Sequence, residues 1–251
     1  MSARPAAGPP LDMTLRETWI DGPPEPRLDP GETHVWRADL RQTGDELLGL
    51  LGEPERERAA SIVREREREL WSRSRSVLKA LLGRYTRSEA SAIRLAPGPH
   101  GKPQLAGEHV RGGGATPFFN ISHTRHLALF AFCGDGPVGV DVQLAPRREH
   151  AARTDYVALA RRAFGASTAQ RLEQLEPRER EREFLVLWTR HEAESKRRGV
   201  GIGGPRSFAQ SSGAQSGGGS SILKLDVGPH GAAALACSRT PRRLELWEWS
   251  G

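Results

Sequence analysis

Cysteine is nearly absent from this chain: Cys133 and Cys237 are the only two in 251 residues. Two thiols so placed have neither the density of a disulfide scaffold nor the spacing of metal ligands, so both read as reduced core residues. Long apolar runs are missing too. The start, MSARPAAGPPLDM, lacks the hydrophobic stretch of a signal peptide, and no later segment is long and apolar enough to span a bilayer. The expectation is a soluble, cytoplasmic protein with no membrane partner, in which Asn120-Ile121-Ser122 has no meaning as a glycosylation sequon. Hydrophobic residues make up only 37% of the chain, so its core has to be compact, although the length suffices for one domain or two small ones. Charge of one sign is lacking as well. Lys and Arg outnumber Asp and Glu by 37 to 31, giving +6, which favours an anionic partner. Yet the signs alternate along Glu53 to Arg75 at helical spacing, as on a solvated helix face. That mixing counts against a nucleic-acid-binding module, which needs a one-signed, aromatic-lined patch.

What is present has a readable order. Residues 1–32 are rich in Pro, Gly and charge and read as an irregular lead-in. THVWRADL is a strand candidate, with Trp36, Ala38 and Leu40 alternating with polar neighbours. A helical pattern runs from Pro54 to Tyr85, with Leu70, Val77, Leu78, Leu81, Leu82 and Tyr85 as its apolar stripe. The pattern lapses between Arg64 and Glu69, which allows two helices. FFNISHTRHLALFAFCG reads as two strands about a polar turn, the second buried on both faces, and CGDGP marks a boundary between an N-terminal half, 33–136, and a C-terminal half, 137–251. A helix over Thr154 to Phe164 follows, then one that opens at Pro177 and stops at Gly199. The Gly/Ser-rich stretch 203–221 reads as a flexible loop, and ILKLDV, GAAALACS and RRLELWEW as three closing strands. The whole predicts an α+β protein of two similar halves.

Chemistry gathers at a few positions. In VGVDVQ, residues 138–143, Val138, Val140 and Val142 project to one face and Gly139, Asp141 and Gln143 to the other. With Glu192 from the later helix, Asp141 and Gln143 make an oxygen ligand set suited to a hard cation such as Mg²⁺. The same pattern also fits the solvent face of an edge strand. Ser122 and His123 are adjacent in a strand and so point to opposite faces, and no G-x-S-x-G elbow is present, which counts against a serine hydrolase completed by Asp141. His123 at a strand end is better suited to donate to phosphate, or is simply a turn histidine. Lys102, between Gly101 and Pro103, is either an ordinary loop lysine or a cation held against phosphate. Glu192 and Lys196 are spaced as a surface ion pair, but they continue the stripe of Phe184 and Trp188, a face that should be buried.

Taken in order, GKP (101–103), FNISHT (119–124), VGVDVQ and WTRHEAESK (188–196) resemble the motifs of the Sfp-type 4'-phosphopantetheinyl transferases. The resemblance implies two related α+β halves in a pseudo-twofold relation, with the active site in the cleft between them. It implies a monomer that uses Mg²⁺ and moves the phosphopantetheine arm of coenzyme A onto a serine of an acyl or peptidyl carrier protein. It carries Asp141 and Glu192 over as metal-binding carboxylates, and puts Gln143 where many members have a third acid. Lys102, Ser122 and His123 match positions that hold coenzyme A phosphates, and Lys196 the lysine near the reacting phosphate. Arg56 and Arg75 fall near basic positions at the nucleotide end. His191 stands where a Lys or Arg commonly precedes the glutamate, a weaker phosphate clamp. Gln143 and His191 together leave open a homologue that binds coenzyme A without transferring its arm.

Overall fold

Strand β3 (Glu32–Asp39) is apolar on both faces: Trp36 and Ala38 enter one core, Val35 the other, and all three are fully buried. Such a strand belongs in the interior of a sheet. It lies between β7 (Leu127–Cys133), antiparallel to it, and β11 (Arg243–Glu248), parallel to it. The structure, a computed structural model, describes residues 14–15, 18–98, 101–106, 116–146, 154–200 and 220–251. The first sheet runs β1-β11-β3-β7-β6, where β1 is Thr14–Leu15 and β6 is Phe118–Thr124, and β2 (Ile20–Asp21) also pairs with β11. The stretch read as an irregular lead-in therefore contains two short strands, fixed by their pairing to β11 and not by any periodicity of their own.

Helices α1 (Glu53–Ala60) and α2 (Glu65–Thr86) divide the long helical pattern just before its lapse. The α2 stripe of Val77, Leu78, Leu81, Leu82 and Tyr85 covers Trp36, Phe130 and Phe132 of the first sheet. Its opposite face is solvated and mixed in sign: Arg64 meets Glu67 at 2.8 Å, and Arg73 meets Asp45 at 2.6 Å and Glu69 at 3.0 Å. Such exposed pairs contribute little to stability. A two-strand ribbon, β4 (Leu95–Pro97) with β5 (Pro103–Leu105), then brings Lys102 back toward the sheets.

The second sheet has the order β8-β10-β9, from Val138–Leu144, Gly231–Cys237 and Ser221–Leu225. Val138, Val140 and Val142 pack with Leu129, Leu235 and Leu246 in a core between the two sheets. Helices α3 (Tyr156–Phe164), α4 (Ala166–Glu173) and α5 (Pro177–Arg198) lie on the other face, where α5 spans β8 and β10. Pro177 opens α5, and Gly199, in the left-handed region at φ 69°, ends it.

The last strand departs from the expected division of the chain. β11 falls in 137–251 by sequence but pairs with β3 in the first sheet. Leu244 and Leu246 enter the intersheet core while Trp247 packs with Trp36 on the other face, so both sides need cover that an edge of the three-stranded sheet does not provide. Most of the Gly/Ser-rich stretch 203–221 lies outside the described residues; Ser221 opens β9.

Candidate active site

β6 is the edge of the first sheet and β8 the edge of the second, and the two edges face each other. They are joined by side chains. The amide oxygen of Asn120 accepts from the backbone N–H of Val140 at 2.9 Å, and the Ser122 hydroxyl accepts from that of Val142 at 3.3 Å. Lys102 Nζ donates to the carbonyl of Val138 at 3.1 Å, and Lys196 Nζ to that of Val140 at 3.1 Å. Lys102 also reaches the carbonyl of Lys196 at 3.0 Å, which ties the β4–β5 ribbon to the end of α5. Four side chains thus satisfy backbone groups that a paired strand would satisfy. Beside this seam opens a groove of about 550 Å³.

Asp141 sits on the groove side of β8, only 2% exposed. Its Oδ1 accepts from the Ser122 hydroxyl at 2.8 Å and from Lys196 Nζ at 2.7 Å; its Oδ2 accepts from the Gln143 amide nitrogen at 3.3 Å. Glu192 and Lys196 arrive from α5, which lies against β8 because residue 139 has no side chain. A Cβ at Gly139 would stand 2.0 Å from the Ala193 carbonyl oxygen. Glu192 is buried, and its carboxyl pKa is raised first by that burial and then by the charge of Asp141, with Lys196 opposing.

Lys102, His123 and Arg75 are destabilised as cations. Burial pushes the Lys102 ammonium down to about 8, with Lys196 and Arg197 adding repulsion. His123 is lowered by burial and then by Lys196 and Arg75, all of which favour its neutral form. Arg75 lines the groove from α2 with its guanidinium carbon 5.1 Å from the centre of the Trp71 ring, and its buried Nη1 has no hydrogen-bond partner among the described residues. Unpaired buried donors of this kind favour an anionic ligand.

Ten residues stood out in the sequence, and eight of them line this groove: Arg75, Lys102, Ser122, His123, Asp141, Gln143, Glu192 and Lys196. Arg56 and His191 do not. The Arg56 guanidinium turns back to the carbonyl of Leu51. His191 packs between the rings of Phe164, 5.9 Å away, and Trp188, 6.5 Å away, and burial lowers its pKa, which favours the neutral ring. Sequence reasoning missed Asn120 and Trp71. Asn120 was within reach, because it precedes Ser122 by two residues and so shares its face of β6.

The donor set suits a hard cation. Among the described residues no three His, Cys, Asp or Glu side chains cluster around one point. What the groove offers is two carboxylates, Asp141 and Glu192, whose mutual repulsion a cation would relieve, and the amide of Gln143. Mg²⁺ characteristically takes one or two carboxylates and completes its shell with water and substrate phosphates.

The family model described as the 4'-phosphopantetheinyl transferase superfamily matches residues 137–240, from the start of β8 to just past β10. The protein named "4'-phosphopantetheinyl transferase HetI", from Nostoc sp., is 30% identical over 192 residues, 75% of this chain and 77% of its own length. The one named "Putative 4'-phosphopantetheinyl transferase slr0495", from Synechocystis sp., is 32% identical over 155 residues, 62% of this chain and 59% of its own length. With three quarters of its length matched to such a relative, and the family model falling on the strand and helix that supply Asp141, Glu192 and Lys196, this chain belongs to the 4'-phosphopantetheinyl transferases, a family of enzymes.

Proposed function

We propose that the protein is an Sfp-type enzyme that transfers the 4'-phosphopantetheine arm of coenzyme A to a serine of an acyl or peptidyl carrier protein, with Mg²⁺, in the cytoplasm and as a monomer. The observation that carries this reading is the meeting of two opposed sets of groups in one groove: Lys102, His123 and Arg75 for phosphates, and Asp141 and Glu192 for a cation. In architecture the reading extends to two related halves, supported by the way two separate sheet edges meet side by side at the groove.

In the reaction the carrier serine oxygen bonds to the β-phosphorus of coenzyme A, the bond from that phosphorus to the bridging oxygen breaks, and adenosine 3',5'-bisphosphate leaves with that oxygen. Mg²⁺ held by Asp141 and Glu192, with Gln143 directly or through water, would supply charge neutralisation on the pyrophosphate. Lys196, at the rim of Asp141, stabilises charge that develops on the phosphoryl oxygens. Glu192 takes the serine proton, directly or through water. Lys102 and His123 orient the pyrophosphate, and Arg75 holds the nucleotide end. Trp188 and Val200 give the groove an apolar wall on the α5 side. The basic chain suits the acidic surface expected of a carrier domain.

The test is intact-protein mass spectrometry of apo carrier domains incubated with this protein, coenzyme A and Mg²⁺. A gain of one phosphopantetheine arm is expected, absent with chelator, with Asp141→Ala and with Glu192→Ala. No gain on any carrier type, with coenzyme A still binding, would leave a binding homologue without transfer and overturn the proposal.

A further inference from the structure

We infer that the Ser122 hydroxyl positions the Asp141 carboxylate and is not itself a donor to the substrate phosphate. The inference rests on the reading that Asp141 meets a divalent cation. A serine hydroxyl has one proton and two lone pairs. Ser122 Oγ lies 2.8 Å from Asp141 Oδ1, and an ionised carboxylate only accepts, so the single proton goes there. The N–H of Val142 only donates, so at 3.3 Å it takes one of the lone pairs. The hydroxyl is buried between β6 and β8 and has no second proton to offer a phosphate oxygen.

The consequence falls on Asp141. Its Oδ1 receives both Ser122 and Lys196, whereas among the described residues Oδ2 receives only the longer bond from Gln143. Oδ2 is therefore the oxygen more open to a cation, and Ser122 holds it so from one side while the Val142 bond anchors Ser122 to the strand that carries Asp141. Partners of this kind, one bond removed from the ion, usually change metal affinity by about 10- to 100-fold when deleted.

The experiment reads binding, not turnover. Mn²⁺ affinity is measured by electron paramagnetic resonance for the full chain, for Ser122→Ala and for Ser122→Thr, and coenzyme A affinity by calorimetry in chelator. Ser122→Ala is expected to weaken Mn²⁺ binding at least tenfold with coenzyme A affinity in chelator changed less than twofold; Ser122→Thr, which keeps a hydroxyl, restores most of the Mn²⁺ affinity. If Ser122→Ala does not fold, Ser122→Cys carries the same comparison, since a thiol fills the space but donates weakly. Unchanged Mn²⁺ affinity in these variants, or a loss of coenzyme A affinity in chelator, overturns the inference while leaving the function standing. A wild-type chain that binds coenzyme A but no Mn²⁺ overturns the cation reading and the inference with it.

Discussion

The ammonium of Lys196 stands 2.7 Å from Oδ1 of Asp141, a carboxylate that is itself almost wholly buried. The same nitrogen is tied to the Val140 carbonyl, so the lysine is fixed in the place where it neutralises Asp141. A cation arriving at that carboxylate meets a resident positive charge. Lys196→Met removes the competitor, and Mn²⁺ should then bind about tenfold tighter in the absence of coenzyme A, a change of about 1.4 kcal/mol. On the proposed mechanism transfer should fall by at least a hundredfold, because Lys196 is the charge that mechanism puts near the reacting phosphate. Titration of both proteins with Mn²⁺ checks the first half; affinity equal to or weaker than wild type would show that Lys196 does not compete at Asp141.

Gly139 sets how near α5 comes to β8. An added methyl would lie 2.0 Å from the Ala193 carbonyl oxygen and 2.5 Å from the Arg197 nitrogen, both backbone atoms that no side-chain rotation can move aside. Gly139→Ala must therefore push the helix that carries Glu192 and Lys196. Overpacking of this kind costs about 1–3 kcal/mol, and on the proposed mechanism the displacement of Glu192 and Lys196 should cost transfer at least tenfold. Gly49→Ala is the control, since nothing lies within 4 Å of a methyl there. Thermal melts and transfer assays on the two variants decide it; a Gly139→Ala protein that melts with the wild type would mean that α5 does not need the close approach.

Lys102 titrates within reach of ordinary assay conditions, because burial and the neighbouring Lys196 and Arg197 push its ammonium down to about 8. Below that pH it is a cation facing the groove; as pH rises through about 8 it becomes neutral. Coenzyme A affinity in chelator should therefore decline between pH 7 and 9. Lys102→Arg keeps its charge throughout and should flatten the decline. Wild-type affinity that stays level across this range would remove Lys102 from phosphate binding.

How much of this was legible in the sequence differs from element to element, for physical reasons. The alternation in β8 and the stripe from Phe184 through Glu192 to Lys196 each follow from one repeat distance, and both led to groove residues. The ends of α5 were marked by Pro177 and Gly199. Strands β1 and β2, two residues each, are too short to have any period. The partner of β11 is a choice made by tertiary packing, and a local pattern of Leu and Trp does not say which sheet will take it. His191 was drawn in by its place next to Glu192, yet neighbours on a helix point about 100° apart. That rotation carries it out of the groove and against Phe164. Arg56 has reach enough for several partners, and which one it takes, here the Leu51 carbonyl, depends on backbone that no motif describes.

The buried polar chain beneath α2 makes the fold itself sensitive to acid. Trp36 Nε1 can only donate, and it gives its hydrogen to the Tyr85 oxygen at 2.9 Å. The Tyr85 hydroxyl then gives its own to Nδ1 of His34 at 2.8 Å, which leaves the neutral His34 ring with its hydrogen on Nε2, 3.3 Å from Glu32. Burial holds the His34 pKa at about 4, against 6.5 for a free histidine; Glu245 and Asp29 oppose that shift and Arg243 adds to it. The sign follows directly. Below pH 6.5 the unfolded chain takes up a proton that the folded chain refuses, so the contribution of His34 to stability is lost progressively as pH falls from 6.5 to about 4, and that contribution changes no further below it. The shift corresponds to roughly 3 kcal/mol, a large share of the stability of a domain. His34→Gln retains an acceptor for Tyr85 but does not titrate. Urea unfolding at a series of pH values should show the wild type weakening through this window and His34→Gln weakening much less; parallel curves for the two proteins would place the acid sensitivity elsewhere.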